Sequence, residues 1–224
     1  MTARPTYPGA ESFLPSRISL TSLRTAVQGC EGCDLHRDAT QAVMGDGPAR
    51  ARLLLVGEQP GDAEDRAGEP FVGPAGRLLD RALDEAGIDG DDAYVTNVVK
   101  HFRFERAERG KRRIHKKPSQ GQVDACLPWL RAELRVVVPE GVVLLGATAA
   151  HAVLGAAFRL TDERGRVLDW PGDGEIALPE DRRPAWALAT THPSAVLRSR
   201  DRDADFAALV ADLHVAADAL AATA

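Results

Sequence analysis

Four short apolar runs punctuate the chain: RLLLV at 52–56, YVTNVV at 94–99, VVLL at 142–145 and WALAT at 186–190, each bounded by Gly, Pro or Asp. They are brief and partly β-branched, and their apolar positions run on without alternating, which predicts strands buried on both faces of a parallel sheet. Helical patterns fill the intervals: GPAGRLLDRALDEAG at 73–87, SQGQVDACLPWLRAEL at 119–134 with Ser119 as its cap, and ATAAHAVL at 147–154. SLTSLRTAVQGC predicts a short helix from Ser19 that ends at Gly29, and Asp201–Ala221 predicts a last helix whose Phe206, Leu209, Val210, Leu213 and Val215 make one apolar face. Strand alternating with helix implies a layered α/β fold. The stretch 161–184 carries Gly and Pro punctuation and reads as a hairpin or loop excursion, and no internal repeat is present.

With 224 residues, 44% of them apolar, the chain is long enough for one sizeable core. Residues 1–17 read as a loose N-terminal tail, and 18–224 as a single domain. No apolar run approaches the length of a membrane span, and the first residues lack the apolar centre of a secretory signal, so no membrane partner and a cytoplasmic location, in bacterial cytosol or nucleoid, are expected. Nothing suggests more than a monomer. Cys30, Cys33 and Cys126 are an odd set, which argues against a disulfide framework and leaves metal binding or inert burial. The CxxC spacing favours metal, but a fourth ligand is missing, with His101, His115 and His151 as candidates. His36, His151 and His214 otherwise read as surface or packing residues.

Charge changes the picture most. Residues 100–117, KHFRFERAERGKRRIHKK, hold nine Lys or Arg against two Glu, a local +7 in a chain of −5 whose remainder therefore carries −12. Such a single-signed stretch implies an anionic partner, foremost a nucleic-acid backbone, with Arg113 among its phosphate-holding cations. Within it His115 stands among Lys111, Arg112, Arg113, Lys116 and Lys117, whose like charge should keep its imidazole neutral near pH 7. The plainer alternative is a phosphate-binding loop with an incidental histidine.

Open α/β sheets bind ligands in the loops that follow their strands. Three such loops carry reactive groups here: GEQPGD at 57–62, the basic segment, and THPSAVLRS at 191–199. The glycines of the first, Gly57 among them, permit close backbone approach to a ligand beside Glu58 and Gln59. Phe71 is either a core residue, which composition alone favours, or a stacking platform for a base. Asn97 is either a strand-end cap, the better reading in isolation, or a reader of a pyrimidine edge. His192 lies at the mouth of the sheet, and Leu197 beside Arg198 is an apolar wedge next to a cation, or the start of a helix.

Taken together, CEGC, GEQPG, PFVGPAGRLLD, YVTNVVK, DAC, VVLLGATAA and HPSAVLR follow the order and spacing of the family 4 uracil-DNA glycosylases over about residues 25–215, and the chain resembles that family. Gln59 stands where typical members have Ala, and RAERGKRRIHKK is inserted where they have a short loop. Both features, and above all KRRIH at 111–115, resemble the UdgX subgroup. The resemblance implies a three-layer α/β/α sandwich around a four-stranded parallel sheet. It also implies a [4Fe-4S] cluster held by Cys30, Cys33 and Cys126, with His101 in the position of the fourth cysteine.

For the site, the resemblance implies that Phe71 stacks on a flipped uracil, Asn97 bonds its edge and His192 donates towards the developing oxyanion. His115 would attack the sugar C1′ in place of water and leave a lasting protein–DNA bond. Glu58 would orient the imidazole and accept its proton, and Gln59 would hold the inserted loop. The implied substrate is uracil-containing DNA, single-stranded and also duplex. A glycosylase that turns over and releases an abasic site, or a non-catalytic lesion-binding module, are the alternatives.

Overall fold

In a computed structural model, which describes residues 6–107, 112–172 and 176–222, the four apolar runs are adjacent parallel strands. These are β1 (Leu53–Gly57), β2 (Ala93–Asn97), β5 (Gly141–Leu145) and β7 (Trp186–Thr190). The excursion at 161–184 adds a fifth, antiparallel edge strand, β6 (Val167–Asp169), to give the order β2-β1-β5-β7-β6. The four expected parallel strands are all present, and this strand extends them; its three residues are too few for a periodicity to reveal. Side chains alternate across the sheet, so Leu53 and Leu55 feed one core and Leu54 and Val56 the other. Helices cover both faces, which makes three layers.

The first face is covered by α4 (Gln120–Val137), whose Trp129, Leu130 and Leu134 are fully buried. Ser119 caps it: its hydroxyl accepts from Gln122 N, and its own amide donates to the Gln122 side chain. The same face takes α1 (Leu20–Ala26), begun by a similar exchange between Ser19 and Ser22, and α5 (Ala147–Leu154). The opposite face takes α3 (Pro74–Glu85), which opens with Pro at its first position, and α8 (Arg202–Ala222), which buries Leu209, Leu213, Ala216 and Leu220 at helical spacing. Short helices α2 (Asp62–Ala67), α6 (Leu160–Glu163) and α7 (Pro193–Arg198) follow strands or turns.

Two expectations change. Residues 6–17 are packed rather than loose: Ala10 is fully buried, Tyr7, Phe13 and Leu14 lie against the core, and Gly9 N donates to Gly32 O at 3.0 Å. A few apolar residues among prolines were enough to anchor the segment. The basic segment is a hairpin, in which β3 (Phe104–Arg106) pairs antiparallel with β4 (Arg113–His115), opposing Phe104 to His115 and Glu105 to Ile114. Lys111 lies outside the described residues.

A buried ion pair links sheet and helix. Lys100 Nζ, fully buried, donates to Glu133 Oε2 at 2.6 Å, to Thr96 Oγ1 at 2.7 Å and to Asn97 O at 2.6 Å. Glu133 Oε1 accepts from Gly45 N at 2.9 Å and Tyr94 OH at 3.0 Å. Burial, then the Glu133 carboxylate, pushes the Tyr94 phenol up, so it remains a donor. No described helix is long and apolar enough to cross a membrane.

Candidate active site

From β1 the chain crosses to β2 on one side and later to β5 on the other, so the loops after β1 and β5 part above a crevice at the carboxyl ends of the strands. A cleft of about 760 Å³ opens there. Glu58, Gln59, Phe71, Asn97, Arg113, His115, His192 and Arg198 all line it, together with Thr148 and Ile114.

Gly57 and Asn97 are register partners on β1 and β2. A Cβ on Gly57 would stand 2.4 Å from Asn97 Oδ1 and 2.9 Å from Phe71 Cζ, so only glycine lets the amide and the ring close on one spot. Phe71 has φ 55°, a left-handed conformation that costs a bulky residue about 1–3 kcal/mol and points to a functional constraint. Its ring faces His192 with centroids 6.2 Å apart and planes 25° from parallel. The result is a slot with an aromatic wall, an amide at its floor and an imidazole opposite.

His192 caps α7, and its Nδ1 accepts from Ser194 N at 3.1 Å. Burial, then Arg198 and His115, lowers its pKa to about 4. A neutral ring with Nδ1 accepting must carry its hydrogen on Nε2, ready to donate into the slot. As the pH falls from 6.5 towards 4, the unfolded chain gains a proton that the native ring refuses, so His192 lowers stability over that window. The midpoint of thermal unfolding is therefore expected to drop on acidification from pH 6.5 to 4, more in the native chain than in His192→Asn.

The hairpin delivers His115 to the cleft mouth. Gln59, from the loop after β1, holds both hairpin strands: its Oε1 accepts from Arg103 N at 3.0 Å, and its Nε2 donates to Arg103 O at 3.2 Å and Lys116 O at 3.0 Å. The same Nε2 lies 2.9 Å from His115 Nε2. An amide nitrogen only donates, so His115 Nε2 presents a lone pair. Three acceptors compete for two hydrogens on Gln59, so the imidazole can leave without stranding a donor. Glu58 Oε1 lies 3.7 Å from His115 Nε2, close enough for charge to be felt and too far for a hydrogen bond. Thr148 Oγ1 donates to the other oxygen, Glu58 Oε2.

The His115 pKa is lowered as the charge pattern predicts, but for another reason. Burial acts first and Arg198 adds to it, while Glu58 opposes both. Some of the nearby cations are engaged elsewhere. Arg113, expected to hold phosphate, is only 7% exposed and pairs with Asp62 and with Asp65, the latter at 2.5 Å and itself fully buried. Its task is to fasten the hairpin to α2. Lys116 pairs with Glu105 at 2.8 Å, and Arg103 Nη1 donates to Lys117 O. The exposed cations lining the cleft are Arg112, Lys117 and Arg198.

Leu197, the expected wedge, is half-buried on α7 and does not line the cleft. The apolar side chain at the mouth is Ile114, 44% exposed beside His115. Thr148 and Ser194 were also missed. Their signal was position alone, one just after β5 and one just after β7.

Cys30, Cys33, Cys126 and His101 are all buried. Trp129 Nε1 donates to Cys30 Sγ at 3.2 Å, and Lys100 N to Cys126 Sγ at 3.3 Å. Burial pushes the Cys33 thiol up to about 11 and the Cys126 thiol up to about 12, and lowers the His101 imidazole to about 4. Among the described residues no three His, Cys, Asp or Glu side chains converge as ligands of a single metal ion.

The uracil DNA glycosylase superfamily profile matches residues 44–214. The type-4 uracil-DNA glycosylase of Thermotoga maritima is 36% identical, over 79% of this chain and 82% of its own. The enzyme of the same name from Pyrobaculum aerophilum is 34% identical over 81% and 86%, and that from Archaeoglobus fulgidus 32% over 80% and 83%. The profile match runs through the strands and loops that build the cleft, and the chain belongs to the type-4 family of the uracil DNA glycosylase superfamily.

Proposed function

We propose that this chain excises uracil from DNA and, as a member of the UdgX subgroup, captures the resulting sugar on His115. Phe71 stacks on the extruded base, Asn97 bonds its edge, and the Nε2 hydrogen of His192 meets the charge that develops on the uracil oxygen. The C1′–N1 bond breaks with its electron pair leaving on uracil. The His115 Nε2 lone pair then forms the new bond to C1′, and the imidazolium loses its remaining proton to solvent. Glu58 faces Nε2 rather than Nδ1, so its part is to stabilise the oxocarbenium ion and then the imidazolium, and not to take the proton. Arg112, Lys117 and Arg198 hold phosphates, on single strands and duplexes alike. A monomer suffices, in a cytoplasmic setting.

The observation that carries this reading is an imidazole at the cleft mouth whose Nε2 lone pair is held by the Gln59 amide, 3.7 Å from the Glu58 carboxylate, with its pKa lowered. Protein mixed with a uracil-containing oligonucleotide should give a band that survives SDS and heat, absent with thymine, and peptide mapping should locate the sugar on His115. Free abasic product with no such band would leave a conventional turnover glycosylase; reversible, salt-sensitive binding without base release would leave a lesion-binding module. Because protonation removes the lone pair and the His115 pKa is depressed, the trapping rate should be flat from pH 8 to below 6.5 and fall only on further acidification.

Arg113→Ala should leave the Asp65 carboxylate buried and unpaired and release the hairpin. We expect trapping to slow by about 10²-fold, the scale of an ångström's misplacement of a reacting group. Quench-flow measurement of the adduct reads this directly, and a change of less than threefold would show that Gln59 alone holds the hairpin.

A [4Fe-4S] cluster fits the buried donor set. Each of its ligands would bind a different iron, so the four need not converge on one ion, and N–H groups already point at two of the sulfurs. Cys30, Cys33, Cys126 and His101 would hold it. When bound it supplies a rigid cross-link between the N-terminal region, the start of the hairpin segment and α4.

A further inference from the structure

Helix α2 has a second attachment, on the side away from the hairpin. Glu64, buried at the cleft wall, divides its carboxylate between two backbone amides: Oε2 accepts from Gly61 N at 3.0 Å and Oε1 from Gly73 N at 2.8 Å. Gly61 closes the loop that carries Glu58 and Gln59. Gly73 closes the loop that carries Phe71, two residues away. Both glycines make room for this one group, since a Cβ on Gly61 would come within 2.6 Å of Oε2 and one on Gly73 within 2.8 Å of Oε1.

Phe71 needs such help. Its left-handed backbone is unfavourable for an aromatic residue and persists only where the surroundings over-determine it. From below, Gly76 seats the Phe71 carbonyl so tightly that a Cβ would fall 1.4 Å from it. From the side, the bond from Gly73 to Glu64 fixes the turn that follows the ring. Among the described residues no other side-chain hydrogen bond joins the two loops.

We infer that Glu64 is a positioning residue for the base slot: through Gly73 it sets where the Phe71 ring stands against Asn97 and His192, and through Gly61 it keys that placement to the loop of Glu58 and Gln59. This rests on the proposed role of Phe71 as the stacking wall. Glu64 itself need touch neither sugar nor base. A carboxylate is suited to the task because it accepts at both ends, whereas an amide could serve only one of the two N–H groups and would oppose the other.

The test uses free uracil as the probe, with its inhibition constant against trapping measured on the full chain. Glu64→Ala should weaken uracil at least tenfold and raise the half-saturating DNA concentration, with a smaller change in the maximal trapping rate. Glu64→Gln, which keeps one of the two bonds and serves if the alanine variant does not fold, should fall between. Leu209→Ala, a cavity variant in the core beneath α8, should lower the unfolding temperature yet leave the uracil constant within twofold. Native-like uracil binding by a folded Glu64 variant, or an equal loss in Leu209→Ala, would overturn the assignment. Phe71→Ala separates the two layers of the argument: if it too binds uracil normally, the slot reading fails, and if it weakens uracil while Glu64→Ala does not, only the clamp fails.

Discussion

His115→Ser is expected to lose the heat-stable adduct entirely while uracil continues to be released, so that a protein that acts once becomes one that turns over. In the proposed mechanism the cleavage apparatus stands apart from the nucleophile. Phe71, Asn97 and His192 form the slot at the ends of β2 and β7, whereas His115 reaches the mouth on the hairpin. Removing the ring vacates a place beside Glu58 Oε1, which lay 3.7 Å from Nε2, and a water there would find a carboxylate able to take its proton. Serine is too short to bridge the gap and leaves that place open. Gln59 keeps its bonds to Arg103 and Lys116, so the hairpin should hold its position. Uracil released per chain, counted alongside a denaturing gel, reads both halves of the result. A variant that forms no adduct and frees no uracil would mean that the imidazole takes part in breaking the glycosidic bond.

What the sequence disclosed and what it hid divide along a physical line. The parallel strands were legible because each is buried on both faces and so reads as an unbroken apolar run closed by a breaker, as at Leu53–Gly57. The cap of α4 was legible because Ser119 acts on an amide three residues away. Partners distant in sequence were not. Arg113 finds Asp62 51 residues back and Asp65 48 residues back, and without them its charge looks available to DNA. The same blindness gave the right direction for the His115 pKa from the wrong source, since partial burial acts first, Glu58 opposes it, and the cation that adds to it is Arg198 on α7. Ile114 and Leu197 were exchanged for a related reason: a lone aliphatic in a run of cations does not announce which way its strand faces. The site's residue types were thus readable from the loops that follow strands, while the division between those that meet the substrate and those that hold the loops required the fold.

The second large effect concerns stability, and it comes from Lys100 and Glu133. Either single truncation, Lys100→Met or Glu133→Ala, should lower the unfolding free energy by about 3–5 kcal/mol, because each leaves the opposite charge buried without its partner. Glu133→Ala strands more groups: the Lys100 ammonium, the Tyr94 hydroxyl and the Gly45 amide all lose an acceptor. The double variant Lys100→Met/Glu133→Leu removes both charges and fills the space with apolar groups, so its loss should be well below the sum of the two singles. Urea denaturation of the four proteins reads the coupling as a double-mutant cycle. Losses that simply add would mean the two side chains act independently despite 2.6 Å of separation. The pair also reaches the site, since Lys100 Nζ holds the backbone carbonyl of Asn97 at 2.6 Å. Lys100→Met should therefore weaken uracil binding even below its unfolding temperature, whereas a purely local packing defect would leave the folded fraction binding normally. The Lys100 ammonium, three residues beyond the end of β2, thus holds the backbone of the residue whose side-chain amide closes on the Phe71 ring.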